Sequence, residues 1–233
     1  MIIVLNNKSN FDKQEFIIYN NQLEEINTKH TMILCPSTIN IPYATYRNYY
    51  LGSQNISKYG EGAFTGEVSG NQLYSSDVSY VIIGHSERRE LEHETDEDIN
   101  IKIKRALDSN ITPILCIGET KEQRDNNTYK EVLESEIAVA TRDLTETDKA
   151  SLLVAYEPIW SIGTGIIPTV DQIDEVLLTI KDLLPHNKLL YGGSANEKNI
   201  DELNNSKYID GYLLGGLSLK TDKLKEFLQK IKG

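Results

Sequence analysis

The sequence predicts an α/β protein in which eight β/α units close into a single (β/α)8 barrel, and two observations carry that expectation. Short apolar runs recur along the 233 residues at intervals of a few tens of residues, and polar, helix-compatible stretches separate most of them. Strands alternating with helices call for parallel pairing through right-handed crossovers. An open doubly wound sheet meets the same requirement, but eight such units in a chain of 233 residues fit a closed barrel more naturally.

The candidate strands are 2–6, 31–35, 50–54, 80–84, 112–116, 152–156, 188–192 and 210–214, and the candidate helices 11–28, 96–109, 128–142, 169–183 and 220–231. No Gly/Ser-rich linker or break in composition divides them, so residues 1–233 are expected to form one domain. The longest irregular stretch, 55–70, contains Phe64 and Val68 among glycines, which suggests an ordered loop that packs against something.

Composition narrows the classes of function. No apolar run approaches the ~20 residues of a membrane span, and Met1-Ile2-Ile3-Val4-Leu5 reads as a first strand, so a cytoplasmic protein is expected. A formal charge of -11 argues against nonspecific nucleic-acid binding. It leaves room for a small anionic substrate, because screening over about 8 Å lets a few local cations outweigh distant carboxylates. Cys35 and Cys116 sit inside apolar runs and read as core filling, and His30, His85, His93 and His186 are too scattered for a metal site.

In a barrel the chemistry lies at the C-terminal ends of the strands. Those positions hold Asn6 and Lys8, Gln54 and Asn55, His85, Glu119, Glu157, Ser194, and Gly215-Gly216. After the buried-type run Leu152-Leu153-Val154 comes Ala155-Tyr156-Glu157-Pro158-Ile159-Trp160-Ser161-Ile162-Gly163-Thr164-Gly165. A carboxylate at the end of such a strand is well placed for proton transfer, and the apolar segment ending in glycines has the composition of a closing loop.

Gly84-His85-Ser86-Glu87-Arg88-Arg89 follows another strand. A lone histidine there is most often a hydrogen-bonded structural residue. A short helix starting at Ser86 disfavours a charged imidazole, however, and a neutral one can polarise a carbonyl and shuttle protons. The Glu87/Arg88/Arg89 cluster is expected to link neighbouring loops by ion pairs, with Glu67 as a candidate partner; a phosphate clamp is the alternative. Lys8 is either a solvated surface lysine or a fixed charge for a phosphate or a developing enolate oxygen. The glycine turns Tyr191-Gly192-Gly193-Ser194 and Asp210-Gly211-Tyr212-Leu213-Leu214-Gly215-Gly216 end the last two strands, where such barrels usually grip phosphate.

Together with Gly62-Ala63-Phe64-Thr65-Gly66-Glu67 and Leu115-Cys116-Ile117-Gly118-Glu119-Thr120, these segments fall in one order, and the chain resembles triosephosphate isomerase over nearly its whole length. The resemblance implies a TIM barrel and cofactor-independent, metal-free interconversion of dihydroxyacetone phosphate and D-glyceraldehyde 3-phosphate in glycolysis and gluconeogenesis. It implies Glu157 as base, His85 as electrophile and proton shuttle, and Lys8 as electrostatic anchor. Asn6 would support the enediolate site, Gly163, Ser194, Gly215 and Gly216 would face the phosphate, and 158–168 would form the lid. It further implies a homodimer through loop 55–70, with Thr65 near the partner's active site. The chain departs from the family pattern at Asn7, where a Trp is usual, and at Ser9, where a Met is usual. It departs again at Ile166-Ile167-Pro168, in place of Lys and small residues, which is expected to stiffen that hinge. A different phosphate-binding barrel enzyme, or a noncatalytic barrel, would not need Glu157, His85 and Lys8 together.

Overall fold

The computed structural model describes residues 1–162 and 166–232. Its strands are β1 (Ile2–Asn6), β2 (Thr31–Cys35), β3 (Tyr50–Ser53), β4 (Tyr80–Ile83), β5 (Thr112–Ile117), β6 (Leu153–Tyr156), β7 (Lys188–Tyr191) and β8 (Gly211–Leu214). All neighbours run parallel, and β8 returns to β1 through Ile2↔Gly211 to close the barrel in sequence order. Every expected strand is present, with ends differing by at most one residue.

Helices α1 (Lys13–Glu24), α2 (Gly70–Tyr74), α3 (Ser86–Leu91), α4 (Asp96–Asp108), α5 (Lys121–Asp125), α6 (Tyr129–Ala140), α7 (Glu146–Ser151), α8 (Val170–Leu183), α9 (Ile200–Leu203) and α10 (Thr221–Lys230) fill the crossovers. Local chemistry starts several of them. Asp12, Thr120 and Thr169 accept backbone N–H groups of the first turn, and Glu15, Gln123 and Gln172 reach back to cap residues.

The period-2 alternation of the strands sorts their side chains into two cores. Val4, Ile33, Cys35, Ile82, Ile114, Cys116, Ala155, Leu190 and Leu213 form the interior cluster, while Ile3, Leu5, Val154, Tyr156, Tyr191 and Tyr212 belong to the larger cluster with the helices. Cys35 and Cys116 are accordingly buried free thiols, as expected of core filling. Continued past each strand end, the same parity aims Asn6, Glu157, Gly192 and Gly215 inward and Glu119 outward.

Loop 55–70 has internal order. Ser57 N–H donates to Val68 O at 2.9 Å, Lys102 reaches Asn55 Oδ1 at 2.7 Å, and Tyr59 and Phe64 stack at 4.5 Å between ring centres. Residues 61–67, including Thr65, are exposed. Among the described residues, no helix is long and apolar enough to cross a membrane.

Candidate active site

A cavity of about 460 Å³ opens at the C-terminal end of the barrel, and Asn6, Lys8, His85, Glu157, Ser194, Gly215 and Gly216 all line it. These seven residues thus face one space, whereas Gln54, Asn55 and Glu119, also at strand ends, do not line it. Gly163 and part of the expected lid, residues 163–165, lie outside the described residues.

Glu157 follows β6 and is almost wholly buried. Its Oε2 accepts the Ser86 N–H at 3.0 Å, and its Oε1 lies 3.1 Å from His85 Nε2. Gly192 on the next strand leaves the space this carboxylate uses, since a Cβ there would stand 2.9 Å from Glu157 Cγ. His85 caps α3 by accepting the Glu87 N–H on Nδ1 at 3.2 Å. A backbone N–H can only donate, so the ring proton sits on Nε2 and the imidazole presents a neutral N–H donor to the cavity. The same nitrogen that now faces Glu157 can therefore face a substrate oxygen.

Lys8 has a left-handed backbone (φ 52), held by its N–H to Asn6 Oδ1 at 3.0 Å and by Gln54 Nε2 to its carbonyl at 2.9 Å. A non-glycine residue stays in that region only when its surroundings enforce it. Its ammonium pairs with Glu87. Across the cavity, Gly192–Ser194 and the 3-10 segment Gly216–Leu219 form the far wall, and Lys220 and Lys223 complete it. Lys8, Lys220 and Lys223 line the cavity together with the carboxylates Glu157 and Glu197, and Lys223 lies 3.4 Å from Glu197 and 3.3 Å from Glu226.

Some expectations need correction. Glu67 makes no ion pair among the described residues; Arg88 pairs with Glu94 at 3.4 Å, and Arg89 with Asp96 at 2.6 Å and Glu136 at 3.6 Å. Neither arginine lines this cavity, and Arg88 instead lines the adjoining one with Asn6, Lys8 and His85. Glu119 is at the rim of the strands yet outside the cavity. Its Oε1 accepts from Arg124 Nη2 at 2.7 Å, Trp160 Nε1 at 2.8 Å and Tyr156 OH at 3.0 Å, tying the segment after Pro158 to β5. Sequence reasoning missed Glu87 as the partner of Lys8, a pairing across 79 residues. It also missed Lys220 and Lys223, although Lys220 directly follows the 3-10 segment Gly216–Leu219.

The model of the family described as triosephosphate isomerase matches residues 1–231. The chain belongs to the triosephosphate isomerase family. Among relatives named triosephosphate isomerase, that of Mycoplasmopsis agalactiae is 43% identical over 201 residues, covering 84% of this chain and 77% of the relative. That of Mycoplasma mobile is 42% identical over 188 residues, covering 80% and 76%. That of Endomicrobium trichonymphae is 41% identical over 190 residues, covering 78% and 76%. Against the family pattern, Asn7 is fully buried in place of the usual Trp, and Ile166 and Ile167 are exposed beside a buried Pro168.

Proposed function

We propose that this chain interconverts dihydroxyacetone phosphate and D-glyceraldehyde 3-phosphate through an enediolate. The convergence of Glu157, His85 and Lys8 with both terminal glycine turns on one cavity carries this reading. The Glu157 carboxylate leaves the Ser86 N–H and removes a proton from the carbon beside the carbonyl. The electron pair moves onto the carbonyl oxygen, where the His85 Nε2–H and the Lys8 ammonium stabilise it. His85 passes a proton between the two substrate oxygens, and Glu157 returns its proton to the neighbouring carbon. One carbon is oxidised as its neighbour is reduced, so the step is internally balanced and needs no redox cofactor. Asn6 supports the enediolate end, and Ser194, Gly215 and Gly216 face the phosphate, with Gly163 joining from the lid 158–168. Closure of that lid excludes water from the intermediate.

The reaction belongs to glycolysis and gluconeogenesis and places the protein in the cytoplasm. The working form is a homodimer in which loop 55–70 enters the partner, Thr65 supporting the partner's Asn6 and Lys8. Two observations support this: the exposed, internally ordered loop tip, and a second cavity of about 400 Å³ beside Lys8, lined by Asn6, Ser37, Gln54 and Glu87. A coupled assay with glyceraldehyde 3-phosphate tests the reaction, and no turnover refutes it. Light scattering at micromolar concentration tests the assembly; a fully active monomer contradicts it.

A further inference from the structure

Asn7, one of the positions where this chain departs from its family, heads a buried hydrogen-bond chain. Asn7 Nδ2 donates to Ser218 Oγ at 3.2 Å and to the Tyr19 hydroxyl oxygen at 3.4 Å. Tyr19 donates to the Ser218 carbonyl at 2.8 Å, and the Ser218 hydroxyl donates to the Asn6 carbonyl at 3.1 Å. Each of the four protons is used once, which fixes the direction of the chain. Burial holds the Tyr19 phenol well above its ordinary pKa, so it remains a donor, and Phe11 stacks on its ring at 4.7 Å. Tyr19 belongs to α1, which contributes no described residue to the cavity wall.

The chain joins two segments that the site needs in fixed register. One is Asn6-Asn7-Lys8 at the end of β1. The other is the turn Gly215–Ser218, itself closed by Ser218 N–H to Gly215 O at 2.9 Å. The two are already close, since a Cβ on Gly215 would meet Lys8 Cε at 3.2 Å.

We propose that Asn7 and Tyr19 are positioning residues for the isomerisation: through Ser218 they lock Asn6 and Lys8 to the phosphate-facing turn, so that the carbonyl and phosphate ends of the substrate are held at one separation. The proposal rests on the functional reading above for the identity of that substrate. Neither residue touches substrate; both act through Ser218 and the β1 end.

Tyr19→Phe tests this, because it keeps the ring and its stacking and removes only the hydroxyl. Asn7→Ala removes the other donor. Tyr46→Phe is the control for removing a tyrosine hydroxyl away from the site, since it deletes an exposed bond to Asp77 at 2.9 Å in the segments leading into β3 and β4. Inorganic phosphate affinity by calorimetry, and kcat and KM in the coupled assay, are measured on the full chain. Tyr19→Phe and Asn7→Ala weaken phosphate binding roughly 3- to 10-fold, the worth of one hydrogen bond, and lower kcat/KM at least as much. Their effects do not multiply in the double variant, because both act on Ser218. Tyr46→Phe changes neither quantity. Unchanged phosphate affinity and kinetics in both site variants, whatever their melting temperatures, overturn the proposal and leave the network as packing alone. A wild-type chain without isomerase turnover overturns the functional reading instead, while the phosphate measurement still judges the network.

Discussion

The inner and outer faces of the barrel rim each carry a buried glutamate, and they are held in opposite ways. Glu157, on the inner face, accepts one backbone N–H, and its other oxygen lies 3.1 Å from the His85 imidazole. Glu119, one strand away on the outer face, receives a guanidinium, an indole and a phenol on a single oxygen. Burial is nearly complete for both, so it does not distinguish them. The donors do. A substrate oxygen can approach the imidazole nitrogen that faces Glu157, whereas none of the partners of Glu119 lines the cavity. A carboxylate free to exchange its hydrogen bonds can move a proton, and one held by a half-buried guanidinium, an indole and a phenol holds structure.

Substitution should separate the two faces sharply. Glu157→Asp withdraws the proposed base by one methylene and should lower kcat by about 10²–10⁴, with little change in melting temperature. Near-wild-type turnover would remove Glu157 from the mechanism. Glu119→Gln should do the reverse, since it leaves the partly buried Arg124 without its counter-charge and weakens a charged hydrogen bond, costing roughly 1.5–3 kcal/mol of unfolding free energy. Its kcat should stay within about tenfold of wild type when measured well below the transition. A collapse of kcat at unchanged stability would put Glu119 in the chemistry.

His85→Gln sharpens the inner face further. A glutamine amide at this position can still donate to a developing oxyanion but cannot relay a proton, so kcat should fall by about 10²–10³, within the usual cost of losing a general acid–base group. Inorganic phosphate affinity, set by the opposite wall of the cavity, should be retained. Loss of phosphate binding with kcat intact would make His85 a ligand contact.

The contrast also explains what the sequence made legible. Strand ends were readable because each apolar run stops at a glycine, a proline or a polar residue, and inward-facing residues just beyond each stop converge wherever a barrel forms. Which way a side chain faces was readable too, by counting in twos from Val4, Ala155 or Cys116, and that count puts Glu119 on the other side from Glu157. The short helices α2, α5 and α7 have too few residues for a 3.6-residue period, yet Ser69-x-x-Gln72, Thr120-x-x-Gln123 and Thr145-x-x-Asp148 mark their starts as capping boxes. The Lys8–Glu87 pair and the Asn7–Tyr19–Ser218 chain had no local signature. They join residues 79 and up to 211 positions apart, and only closure of β8 on β1 brings Asn7 to Ser218.

A third glutamate on the outer face tests whether a cation always decides the matter. Glu136 on α6 accepts the Gly118 N–H at 3.0 Å and lies 3.6 Å from Arg89 Nη1, with Asp96 and Glu119 also acting on it. Burial raises its pKa from 4.5 to about 7, against the opposing pull of Arg89 and the Gly118 N–H. Below pH 4.5 the folded and unfolded chains both hold this proton. As pH rises towards 7 the unfolded chain releases it first, so stability present below pH 4.5 is lost across that window, by up to roughly 3 kcal/mol. Glu136→Gln keeps an oxygen for the Gly118 N–H and carries no charge at any pH. Denaturant midpoints at pH 5 and pH 8 should therefore converge in the variant, with its gain over wild type confined to the higher pH. A variant that instead loses stability at pH 8 would mean that Arg89 outweighs burial, making Glu136 a charged anchor of the same kind as Glu119.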